Sequence, residues 1–147
     1  MEKSLKLLTF LLMVILQASL LAVKAQETKF KICNGLPVIE LTVNGVKGDF
    51  IIDTGSNASA LDIDFAKKAL VILENEDVQI NGLGGEVIGY DVVGAKTHFM
   101  GSRIKMNFKA IKIKTLNVDG IVGSDFLADN MVVLDYKNKT IKTNRAR

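Results

Sequence analysis

The sequence predicts an all-β domain, a closed barrel-like sheet carrying one or two short helices. Three observations predict it. Short runs rich in Val, Ile, Phe and Thr recur from Val38 to Thr143, separated by Gly- and Asn-bearing turns. Helical periodicity is confined to two brief stretches. A single proline, Pro37, and the lack of a repeat, a low-complexity tract or a Gly/Pro linker leave one compact unit.

Each element follows from local chemistry. Pro37 precedes the first clear strand, and Val38–Val43 and Val46–Ile52 flank Asn44-Gly45. Both of those residues tolerate the positive φ of a tight hairpin, so the pair predicts a two-strand unit that delivers the chain to Asp53. In Asp62–Leu70, Asp62 is placed to cap a short helix and Phe65, Ala69 and Leu70 share a face. Val78–Ile80 and Val87–Val93 flank Asn81-Gly82-Leu83-Gly84-Gly85, a hairpin tip. Alternation from Thr97 to Lys114 sets Ile104, Met106 and Phe108 against Arg103, Lys105, Asn107 and Lys109, with a phase slip at Ala110-Ile111 that predicts a turn or bulge. Ser124–Asn130 suits a second helix. Met131–Asp135 and Thr140–Thr143 make a closing hairpin turned by Lys137-Asn138-Lys139.

The N-terminus reads as an address rather than as fold. Lys3 and Lys6 precede the apolar run Leu7–Leu16, and Val23-Lys24-Ala25 offers small residues at the spacing of a signal-peptidase site, so residues 1–25 are expected to be a signal peptide and 26–147 the domain. The expected location is periplasmic or extracellular. The rival is an uncleaved anchor, because apolar character continues to Val23; only then would the membrane be a partner. Removing 1–25 removes three lysines and one glutamate, leaving 16 basic and 15 acidic residues among 122. That balance gives no reason to expect nucleic acid as a partner, and the length suits one core. Cys33 is the only cysteine, so no intrachain disulfide forms, and it is expected to pack as a small hydrophobe.

The chemistry concentrates in Phe50-Ile51-Ile52-Asp53-Thr54-Gly55-Ser56. An aspartate directly after an apolar strand is anomalous, since burying an unpartnered carboxylate costs several kcal/mol. Gly55 lets backbone N–H groups approach it, and the Thr54 and Ser56 hydroxyls add donors. A second segment, Asp119-Gly120-Ile121-Val122-Gly123-Ser124, brings two apolar residues and a glycine to a helix start.

Together these motifs resemble the retropepsin-like aspartic proteases, across nearly all of residues 36–143. The resemblance implies that Asp53 is the catalytic acid, that Thr54, Gly55 and Ser56 support its loop, and that Ile121-Val122-Gly123 packs against it. It also implies that Gly82, Leu83, Gly84 and Gly85 form a flap over a peptide or protein substrate. Each chain would contribute one aspartate to a homodimer, with Gln26–Ile32 and Thr140–Thr143 at the interface. The motif D-[ST]-G occurs once, so a second acid must come from another copy. Two such carboxylates share one proton, one acting as base toward water and the other as acid toward the peptide carbonyl. No cofactor or metal is implied. A non-catalytic peptide- or protein-binding module with the same fold is the alternative, and a membrane-tethered scaffold a third.

The remaining candidates have plain readings. Asp62, Asp64 and Asp125 suit helix starts and Asp119 a turn. His98 is the only histidine, and neither zinc spacings nor a G-x-S-x-G elbow occur. Lys105, Lys109, Lys112 and Lys114 read as a solvated strand face. Asn57-Ala58-Ser59 and Asn138-Lys139-Thr140 match glycosylation sequons, though a glycan on Asn57 would crowd the Asp53 loop.

Overall fold

The computed structural model describes residues 26–82, 85–113 and 117–145; the expected signal segment, 1–25, lies outside the described residues. Among the described residues there are thirteen strands and two helices: β1 (Gln26–Lys29), β2 (Lys31–Cys33), β3 (Leu36–Val43), β4 (Val46–Ile52), β5 (Ser59–Asp62), α1 (Ile63–Lys68), β6 (Ile72–Gly82), β7 (Gly85–Val93), β8 (Thr97–Phe99), β9 (Ser102–Ile104), β10 (Phe108–Ile111), β11 (Gly120–Val122), α2 (Ser124–Ala128), β12 (Asn130–Asp135) and β13 (Thr140–Arg145). The large sheet runs β6-β7-β10-β5-β11-β4-β3-β8-β9, with β2 also on β3, and curls into a half-barrel. A small sheet runs β1-β13-β12. The all-β, barrel-like class expected from the sequence is the one observed.

The first hairpin is built as expected. Val43 pairs with Val46 across Asn44-Gly45, whose φ angles are 48° and 86°. The same device recurs unforeseen at Asn34-Gly35 (51°, 81°) and Met100-Gly101 (50°, 76°). The first of these adds β2 and draws Pro37 into β3, opposite Ile32. Proline is tolerated there because the β4 ladder begins only at Val38. Cys33, expected among the hydrophobes, sits half-buried at the end of β2 outside the core, since the Asn34-Gly35 turn follows at once.

The second turn corrects the reading of Thr97–Lys114. That stretch is two short strands joined at Met100-Gly101, an unpaired segment at 105–107, and then β10. The slip expected at Ala110-Ile111 does not occur, because Phe108 and Ala110 both face the core in unbroken alternation. Nor are the lysines a free strand face: Lys109 pairs with Asp91 and Lys112 with Asp64, Lys105 lies outside any strand, and Lys114 is outside the described residues. Leu70 is a further correction. The helix α1 ends at Ala69, Leu70 turns to φ 51°, and its side chain is 86% exposed rather than sharing the face of Phe65.

The core lies between the curled sheet and α1. Phe50 packs edge-on to Phe65 (centroids 5.6 Å apart) and obliquely on Phe108 (6.2 Å). Gly48 leaves the room for Phe65, since a Cβ there would stand 2.6 Å from the ring.

Charge fastens the periphery. β6 breaks register between Glu74 and Val78, where Asn75 at φ 50° turns its amide to Asp91 (3.0 Å), and Lys109 from β10 meets the same carboxylate. These donors hold the Asp91 carboxyl below its ordinary range, the Asn75 amide first and Lys109 next. Lys112 does the same to Asp64, the backbone and side chain of Asn138 to Asp135, and Thr140 with Lys142 to Glu27. A carboxyl with a lowered folded pKa contributes stability that is complete above its unfolded value and is lost as pH falls through the folded one. Thermal melts should therefore stay level from about pH 7 to 5 and fall below about pH 4. A melting temperature that dropped between pH 7 and 5 would contradict this assignment.

Candidate active site

β4 is buried at Phe50, Ile51 and Ile52, and the sheet ends with Ile52, so Asp53 emerges half-buried at the strand's end. β11 lies parallel to β4, pairing Ile121 with Ile51 and Val122 with Ile52. The ladder is extended by one bond into the loop, from the Asp53 N–H to the Val122 carbonyl at 3.0 Å. Thus the D-T-G-S loop and the Ile121-Val122-Gly123 segment, 68 positions apart from Asp53 to Ile121, are joined side by side.

The loop turns tightly on its own carboxylate. The Gly55 N–H donates to Asp53 Oδ1 at 2.9 Å, and the Ser56 N–H donates to the Asp53 carbonyl at 3.2 Å. A Cβ on Gly55 would stand 3.2 Å from Asp53 Oδ1, so a side chain at 55 would press on the carboxylate. Thr54 and Gly55 are exposed. The Ser56 hydroxyl donates not to Asp53 but to the Ala58 carbonyl, at 2.7 Å, bracing the loop from behind.

The far side of the loop is anchored by residues the sequence reading passed over. The buried Ser59 hydroxyl accepts the Gly123 N–H at 3.0 Å and donates to Asp125 Oδ1 at 2.7 Å. The Ser124 N–H donates to the Ser56 carbonyl at 2.8 Å. Asp125 therefore does more than suit a helix start: it locks α2 to β5. Ser59 had one signal in the sequence, a hydroxyl directly before the apolar pair Ala60-Leu61, whose burial offers no solvent to satisfy it. Asp119, read as a turn residue, accepts the Asp49 N–H at Oδ2 (2.8 Å), and its own N–H donates to the Asp49 carbonyl. Asp62 caps α1 through Asp64 N–H and also accepts the Ile113 N–H at 2.9 Å.

The hairpin β6–β7 runs antiparallel to a final pair, Gly82 with Gly85. Of the candidate flap, Leu83 and Gly84 lie outside the described residues. Among the described residues no group of three or more His, Cys, Asp or Glu gathers to hold a metal ion, and no helix is long and apolar enough to cross a membrane.

A curled sheet whose central parallel pair ends in a glycine-turned aspartate defines an acid-protease fold. Residues 39–126 match the aspartyl protease family, and the chain belongs to that family; its fold is retropepsin-like. Solved structures agree on the fold. A retropepsin-like aspartic protease from Rickettsia conorii superposes with a TM-score of 0.60 at 20% identity, over 84% of this chain and 95% of that one. The retroviral protease-like domain of Ddi1 from Leishmania major gives 0.58 at 20%, over 80% and 97%. The EIAV protease, in complex with the inhibitor HBY-793, gives 0.54 at 21%, over 67% and 91%. No curated protein matches the sequence.

Proposed function

We propose that the protein is an exported aspartic endopeptidase in which two copies of Asp53, one from each chain of a homodimer, activate water against a peptide bond. The observation that carries this reading is the Asp53 loop, where a half-buried carboxylate accepts the Gly55 N–H and the Asp53 backbone N–H donates to the Val122 carbonyl. One oriented carboxylate per chain is half of an acid–base pair. Brought together, two such groups cannot both ionise, so they hold one proton between them and titrate as a unit. The ionised member takes a proton from water while the protonated one donates to the carbonyl oxygen. Activity should peak at mildly acidic pH, where the pair carries one charge. Thr54 and Ser56 support the loop, Ile121-Val122-Gly123 backs it, and the β6–β7 tip covers an extended substrate.

The test uses protein released by export from an expressing cell. Its intact mass should begin at Gln26, and it should cleave members of a peptide library, with inhibition by a statine-type peptide. Retention of residues 1–25 would defeat the export reading, and absence of cleavage at every pH would favour the binding-module alternative.

A specific surface supports the dimer. β1 already pairs with β13 within the chain, Gln26 with Thr143 through Lys29 with Thr140, so those termini are engaged. That leaves β1 and β12 as the two edges of the small sheet, and β12 is the one beside α2. Val132 and Leu134 pack inward, whereas Met131 and Val133 are 55% and 50% exposed on the other face. Pairing of β12 with its copy would set these side chains beside their symmetry mates on one face and make one continuous sheet from two small ones. Met131→Lys/Val133→Lys should weaken dimerisation roughly tenfold or more, because apolar cross-strand contacts would be replaced by like charges facing one another. Sedimentation equilibrium reads this, and peptidase activity should fall with the dimer population. A variant that stayed dimeric would move the interface elsewhere.

A further inference from the structure

We infer that the open seam of the half-barrel is a docking groove for an extended acidic peptide segment, separate from the Asp53 loop. In strand order β7 and β9 lie near opposite ends of the large sheet. Nevertheless Val92 and Ala95, at and just beyond the end of β7, line the same groove as Ile104 and Met106, at and just beyond the end of β9. The short link 94–96 runs from β7 to β8, whose Thr97 pairs with Ile104 of β9, and the segment 105–107 carries β9 on to β10 beside β7, so the groove lies between these links. The opening between them measures about 470 Å³, a size that takes a few side chains of a ligand.

Three features of this seam specify the occupant. Its floor is apolar, since Val92, Ala95, Ile104 and Met106 all pack against the core beneath. Its rim carries Arg103 and Lys105, both exposed, and among the described residues neither side chain makes an ion pair or a hydrogen bond. By contrast Lys31, Lys47, Lys109, Lys112 and Lys142 each meet an acid of the chain. Among the described residues no acidic side chain lines the groove. The third feature is backbone: among the described residues β9 pairs with β8 alone, so its outer edge presents N–H and C=O groups without a ladder partner there.

A sheet edge binds polypeptide by adding a strand, and alternate side chains of that strand face opposite ways. A segment alternating acidic and apolar residues would therefore set its apolar side chains on the floor and its carboxylates on Arg103 and Lys105. A simple anion would leave the floor uncovered, an apolar molecule would leave both cations and the edge unused, and a basic peptide would be repelled. The proposal is independent of the chemistry assigned to Asp53.

The test measures fluorescence polarisation of a labelled, acetylated hexapeptide alternating glutamate and valine, with Asp53→Asn protein so that cleavage cannot consume the probe. Arg103→Gln/Lys105→Gln should weaken binding about tenfold or more. Lys67→Gln/Lys68→Gln, which removes the same charge from exposed positions on α1, should leave the affinity unchanged. Both pairs lie at the surface, and equal melting temperatures would show that neither change acts through folding. A lysine–valine hexapeptide should not bind. Equal losses in the two variants, equal binding of the two peptides, no binding at millimolar probe, or complete competition by hexanoate would each overturn the proposal, the last by showing a small-carboxylate site.

Discussion

Asp53→Asn protein is expected to lose peptidase activity by at least about a thousandfold while keeping its fold and its dimer. The amide retains an oxygen to accept the Gly55 N–H, now at 2.9 Å from Oδ1, and the backbone bond to Val122 does not involve the side chain. Local structure therefore has no reason to change. What disappears is titration: neither member of the pair can take a proton from water or return one, and general acid–base catalysis supplies about a hundred- to ten-thousandfold per group. Above the pH at which the pair loses its shared proton, removing the two like charges from the proposed dimer axis should also tighten association. Steady-state kinetics alongside sedimentation check both halves. Full activity in this variant would end the assignment of Asp53.

Gly123→Ala should be the most damaging of the conservative changes. Gly123 has an ordinary extended backbone, φ −90° and ψ −176°, so conformational freedom is not what selects glycine. Space is. A Cβ there would stand 2.6 Å from both the carbonyl carbon and the oxygen of Ala58, and 3.0 Å from the Ser59 nitrogen. These are backbone atoms that cannot rotate away. Relief requires β5 and the α2 start to separate, which would break the Gly123–Ser59 and Ser124–Ser56 bonds. Overpacking of this kind costs about 3 kcal/mol or more, a fall in melting temperature of roughly 10 °C. Activity should fall further than stability alone dictates, because the Asp53 loop hangs from the same segment. A melting temperature within a degree or two of the parent would show that the segment yields easily.

Much of this was legible because the decisive signals are local. Asn44-Gly45 can only turn, Asp62 carries its own acceptor to the helix start, and an acid followed by Thr-Gly-Ser after Phe50-Ile51-Ile52 has few structural explanations. The pattern failed where position depended on partners distant in sequence. Leu70 continues the periodicity of α1 but leaves its face, because chain direction changes after Ala69 and nothing in the sequence marks the change. Alternation concealed the turn at Met100-Gly101, since a two-residue reversal preserves the period on either side. Ser59 and Asp119 draw their meaning from partners 60 to 70 positions away, a separation that no local window spans.

The small sheet sets an order of events for the growing chain. β1 is made first and β13 last, and each residue from Gln26 to Lys29 finds its partner only in Thr140–Thr143. Through the synthesis of everything between, that first strand has no mate, and the long loop it must close slows the final docking. A nascent chain stopped before residue 140 is therefore an unfinished domain with sticky edges at β1 and β12, prone to borrowing a strand from a neighbour.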